Sequence, residues 1–102
     1  MNAVANKQYL ERLRMTVEHL HKCSARHLKT VPVHEVFHGQ TVWQGDVEAF
    51  ELIGHLKARR CYGWSHGEPE EFMTVLELPP VDSAQSAVKV AVAYQVRKDR
   101  KK

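Results

Sequence analysis

Cysteine is scarce in this chain of 102 residues: Cys23 and Cys61 are the only two, and they form no C-x-x-C. A disulfide scaffold is thereby excluded, and reduced thiols in a cytoplasm are the expected state. Long apolar runs are missing as well. Nothing in the sequence is long enough to span a membrane, and the first residues, MNAVANKQYLERLRM, have no apolar core of a secretion signal. There is no internal repeat, no low-complexity linker, no glycine loop for phosphates and no nucleophile elbow. Lysine and arginine are absent from residues 30 to 56, which carry four acids.

What remains is ordinary globular composition, 43% apolar and 26% charged. A chain of this length folds as one domain and buries roughly 60–70% of its unfolded surface. The net charge of +3 is misleading, because Arg97 to Lys102 alone carry +4 and everything before them is −1. The expected organisation is a single domain over residues 1–96 followed by a basic tail, 97–102. Basicity is then a property of the tail and not of the fold.

Residues 7–28 have Leu10, Leu13, Val17, Leu20 and Leu28 at helical spacing and predict an amphipathic helix. Four strand patterns follow: TVPVHEVF, TVWQGDVEAFELI, RRCYGWS and EFMTVLEL. Gly39-Gln40, Gly54-His55 and HGEPE punctuate them as turns. After Pro79-Pro80, Asp82 is placed to cap a second helix, with Gln85 answering it three residues on. The fold class is α+β, in the order α-β-β-β-β-α, and short connections predict an antiparallel meander with both helices on one face. The last helix is apolar nearly all round, and EFMTVLEL is apolar on both sides. With helices on one face only, that burial calls for a second subunit, most simply in a homodimer.

HEVFH, residues 34–38, spells the H-E-x-x-H of zinc hydrolases. The motif works only on a helix, where its histidines lie one turn apart. Here β-branched residues precede it and Gly39 follows, which predicts a strand. His34 and His38 then stand about 13 Å apart, too far for one ion to bridge. His19, Cys23 and His27 have metal-ligand spacing on a helix but are expected to form its solvated flank. No metal and no cofactor are expected.

The informative block is TVWQGDVEAFELIGHLKARRCYGW, residues 41–64. It carries W-x-G-x-V-E-x-F-x-L-x-G-H, then a basic turn, then Y-x-W. In this pattern the chain resembles an uncharacterised family of short bacterial proteins, of a kind common in mobile gene cassettes. The likeness extends through VLELPPVDS to cover roughly residues 28–92. It implies a bacterial protein and carries over no catalytic residue.

Taken physically, the block offers an aromatic site. Trp43, Tyr62 and Trp64 supply surface, Asp46 and Glu48 an acidic edge, Arg59 and Arg60 a basic rim, and His55 a side chain presented at a turn. The first expectation is a homodimeric binding module for a small molecule or a partner protein. A nucleic-acid binder using HLKARR and RKDRKK is the second and is not favoured, because the core is not basic and the strand is acidic. An enzyme with a His55–Glu48 or His55–Asp46 acid–base pair is the third.

Overall fold

Two hairpins of unequal length make the sheet. The computed structural model describes residues 3–67 and 69–100. They form α1 (Ala3–His21), β1 (Ser24–Phe37), β2 (Gln40–Ile53), β3 (Arg60–His66), β4 (Glu71–Leu76) and α2 (Ala84–Arg100). The strands lie in the order β1-β2-β3-β4, all neighbours antiparallel, so the α+β reading and its α-β-β-β-β-α order hold.

β1 and β2 are each 14 residues long and turn at His38 and Gly39, where φ is 52° and 75°. Two consecutive positive φ angles are the signature of the tight turn whose twist matches that of paired strands. The turn is therefore His38-Gly39 rather than Gly39-Gln40, since Phe37 pairs with Gln40.

The two hairpins are joined over only four register pairs, from Glu51–Arg60 to Glu48–Gly63. Beyond Glu48, β2 pairs with β1 alone. Beyond Gly63, β3 pairs with β4 alone. The sheet is a fork whose stem is those four pairs.

The helices do not share a face, contrary to expectation. α1 covers one side, where Leu13, Val17, Ala25, Phe50, Leu52 and Cys61 are buried with Phe72, Leu76 and Leu78 against them. α2 covers the other, where Val47, Ala49, Tyr62, Trp64, Ala84, Ala87 and Val88 are buried with Met73 and Val75. The two-sided apolar pattern of β4 is satisfied inside one chain, so it no longer calls for a second subunit. α2 is another matter. Its inner residues are covered, but Val90 and Tyr94 on its outer side are 37% and 59% exposed.

The first helix is shorter than its periodicity suggests. It ends at His21, Lys22 takes a φ of 53°, and Ser24 onward pairs with the end of β2, Ser24 with Ile53 and Ala25 with Leu52. The Glu18 carboxylate secures the junction by accepting the Ala25 N–H at 2.8 Å. A long β2 left unpaired over those residues would expose a row of backbone groups, and that demand outweighs the helical pattern of SARHL. The buried stripe is accordingly Leu13 and Val17 with half-buried Tyr9 and Leu10, while Leu20 is exposed.

The cap of α2 also differs. Ser83 Oγ accepts the Ser86 N–H at 3.1 Å and Ser86 Oγ accepts the Ser83 N–H at 3.0 Å, a reciprocal capping box one residue after Asp82. Gln85 instead donates to the His34 carbonyl and to Glu35, fastening the helix to β1. The basic segment 97–102 begins as part of α2, and residues 101 and 102 lie outside the described residues. No helix among the described residues is long and apolar enough to cross a membrane.

The end of α1 contributes a pH sensitivity. His21 Nε2 lies 2.9 Å from Thr74 Oγ1, and its ring is 6.5 Å from that of His55. Burial pushes the His21 imidazole below its ordinary value, and the neighbouring His55 adds to the effect. In the unfolded chain this group takes up its proton at a higher pH than in the fold. The contribution is therefore present above the unfolded pKa and is lost as pH falls through the folded one. Urea midpoints measured from neutral pH down to about pH 5 are expected to decline less in His21→Gln than in the natural chain. Parallel declines would show that His21 is not one of the groups responsible.

Candidate functional site

The fork leaves space. Where β2 and β3 part, a cleft of about 750 Å³ opens on the α1 side of the sheet. Tyr9 and Leu10 of α1 form one wall and Thr30 of β1 another. Asp46 and Glu48 of β2 and Ser65 of β3 also line it. These residues meet for a simple reason. Asp46 and Glu48 are alternate residues of one strand, Thr30 is the register partner of Glu48, and Ser65 follows Gly63 on the same side of β3. Gly63 marks the apex. A side chain there would start 3.0 Å from a methyl of Leu13, so its absence lets α1 lie down on the fork.

Glu48 is the buried charge of the site, 5% exposed. Its Oε1 accepts the Thr30 hydroxyl at 2.5 Å and lies 2.8 Å from His27 Nε2, an ion pair whenever that ring is protonated. Both contacts go to one oxygen. Among the described residues no buried side-chain polar atom lacks a partner, so Oε2 is reached by solvent from the cleft. Nearby, the Tyr9 hydroxyl donates to Ser65 Oγ at 3.3 Å. Burial raises the Tyr9 phenol above its ordinary value and the charge of Glu48 raises it further, while the bond to Ser65 pulls the other way.

Trp43 closes the fork from behind. Its indole folds over Gly45, where a Cβ would stand 3.1 Å from the ring. It meets Trp64 edge-to-face with centroids 5.7 Å apart. Trp43 thereby forms a wall of the cleft and also of a second, apolar groove of about 430 Å³ between α2 and the sheet, where Trp64, Met73, Val88 and Val92 lie.

The residues anticipated from the sequence are thus divided. Trp43, Asp46 and Glu48 line the cleft, and Trp64 stands behind them in the α2-side core. Tyr62 shares the face of Trp64, as alternation requires, but it is buried and donates its hydroxyl to Glu77. Burial, with Glu77 adding and Arg60 opposing, pushes that phenol up to about 12. His55, Arg59 and Arg60 lie at the far end of the stem. His55 Nδ1 accepts the N–H groups of Lys57 and Ala58, at 3.1 and 2.9 Å, so it organises the β2–β3 turn. The ring that meets Glu48 is His27, not His55, and farther down the same strand Glu51 pairs with Arg26.

His66, at the end of β3, lines the cleft, and the histidines of the two metal-like spacings also find places. His34 is an exposed residue of β1 with Nε2 2.6 Å from Thr41 Oγ1, and His38 sits in the hairpin turn against Phe37. HEVFH is therefore strand and turn, not helix. His19, Cys23 and His27 fall on a helix, a junction and a strand, not on one helical flank. Of the two thiols, Cys61 is fully buried and pushed up to about 12 by that burial. No protein-family model matches the chain, and neither a curated protein nor a solved structure does.

Proposed function

We propose that the chain is a small binding module of a bacterial cytoplasm that holds a small organic molecule in the fork of its sheet and works as a homodimer. The observation that carries the binding reading is the unpaired opening beyond Glu48–Gly63, with a buried carboxylate facing a cleft of ligand size. A sheet that served only as a scaffold would gain stability by continuing to pair there. The homodimer rests on narrower grounds than the sequence offered: the exposed outer residues of α2, Val90 and Tyr94.

A second reading, a small enzyme, draws on the 2.8 Å contact between His27 and Glu48. The pairs first considered, with His55, lose their basis because His55 is engaged in its turn. The nucleic-acid reading gains nothing from the cleft, whose wall carries Asp46 and Glu48 and neither lysine nor arginine.

Amide NMR spectra recorded with a fragment library test the binding reading. Shifts are expected to cluster at Thr30, Gly45 and Ser65, and hits confined to other surfaces would remove it. Native mass spectrometry tests the dimer, with a two-chain mass expected and a return to one chain in Val90→Glu/Tyr94→Lys. A single-chain mass for the natural sequence would end that part of the proposal.

A further inference from the structure

We infer that the ligand of the cleft is a small aliphatic diamine, a flexible chain with an ammonium group at each end; this rests on the binding reading above and gives its ligand a chemistry. Among the described residues the cleft is lined by two carboxylates, Asp46 and Glu48, and by no lysine or arginine. Its principal unused acceptor is Glu48 Oε2, on a side chain held in place by Thr30 and His27. The Asp46 side chain is exposed at the cleft and makes no ion pair among the described residues. Donors are present on the wall, in the hydroxyls of Tyr9, Thr30 and Ser65, the Gln44 amide and the His66 ring, but the two carboxylates face no lysine or arginine among the described residues, and an ammonium group supplies that positive charge.

Spacing argues for two charges carried on one organic molecule. Alternate residues of a strand stand about 6.8 Å apart. Among the described residues no three His, Cys, Asp or Glu side chains are grouped as metal ligands. An extended four-carbon diamine separates its nitrogens by about 6 Å, which matches the strand repeat. The methylenes between them need apolar cover, and Leu10 and the Trp43 indole line the same cleft. An indole face also attracts a cation directly. One ammonium then sits inside at Glu48 and the other at the mouth beside Asp46.

The test titrates the protein with butanediamine and with butanediol, its neutral counterpart of nearly the same shape, followed by amide NMR. The diamine is expected to shift Thr30, Gly45 and Ser65 and to bind about tenfold or more tighter than the diol. Asp46→Asn is expected to lower diamine affinity by about tenfold, toward that of butylamine, with the rest of the spectrum unchanged. Equal binding of diamine and diol in the cleft would overturn the charge assignment while leaving the binding reading intact. Diamine shifts centred on Glu70 and Glu71 instead would reduce the effect to general attraction by acidic surface and overturn the inference. If neither compound nor any library fragment shifts the cleft, the binding reading falls first and the inference with it.

Discussion

Phe50→Ala is expected to remove about 3–5 kcal/mol of stability, the largest loss from any single truncation in the chain. Phe50 is fully buried on the α1 side, and its ring meets His27 edge-to-face at 5.5 Å. It also sits in the stem of the fork, with His27 of β1 and Cys61 of β3 as register partners. The cavity therefore opens where only four residue pairs join the two hairpins, and collapse around it is limited by the sheet itself. Domains of this size hold about 5–15 kcal/mol in total, so roughly a fifth or more is at stake. By the usual entropy of unfolding, the midpoint falls by roughly 12 °C or more. Leu56→Ala supplies the contrast, since Leu56 is 99% exposed and its removal is expected to change stability by less than about 0.5 kcal/mol. Thermal and urea unfolding of both variants decide the matter. Similar losses in the two would mean that the cluster under α1 is not the core.

The same residues show why much of the fold was legible. VEAFEL alternates so that Val47 and Ala49 take one face and Phe50 and Leu52 take the other. Residues that are apolar on both faces of a strand announce cover on both. EFMTVLEL says the same of β4, and the structure answers with a helix on each side. The sequence-based choice of a single helical layer came from connection length, and short connections do not say which side a helix takes. The misplaced end of α1 has a similar origin. Leu28 does fall on the helical repeat of Leu10 and Leu13, yet it belongs to β1 and packs toward α2. Its fate is decided by the unpaired end of β2, which is remote in sequence.

The site was legible only in part. Alternation brings Asp46 and Glu48 to one face, and of the three large aromatics Trp43 lines the cleft while Tyr62 and Trp64 are core. Tyr9 carried a usable signal, since it precedes Leu13 and Val17 at spacings of four on the buried side of α1. Ser65 carried another, by alternation from Cys61 and Gly63. Thr30 and His27 were invisible because their places depend on register, which shifts between His27 and Lys29 at an irregularity in β1. The cleft itself depends on where β2 and β3 stop pairing, and no local pattern states that. His55 shows a different limit: a residue after a turn glycine has the same local signature whether it serves a ligand or caps its own backbone, and here its Nδ1 accepts the N–H groups of Lys57 and Ala58.

Glu48→Gln separates the two jobs that Glu48 performs, and Glu48→Ala removes both. In Glu48→Ala the Thr30 hydroxyl and the His27 ring lose their acceptor, and a cavity remains beneath the cleft. A loss of about 1–3 kcal/mol is expected. It should fall toward the low end, because Thr30 is exposed and His27 half-buried, so water reaches both donors. The isosteric Glu48→Gln keeps an oxygen to accept the Thr30 hydroxyl while abolishing the charge. Its stability is expected to stay closer to the natural chain than that of the alanine variant. Diamine affinity is expected to fall on the order of tenfold to a hundredfold, as when one partner of a desolvated charge pair is removed. Binding of the neutral diol should be nearly unchanged, because shape and hydrogen-bonding capacity persist. Urea unfolding and the two NMR titrations on one preparation read all three quantities. A glutamine variant that binds the diamine as well as the natural chain would show that the buried carboxylate serves the fold alone, leaving Asp46 as the carboxylate among the described lining residues available to a cation.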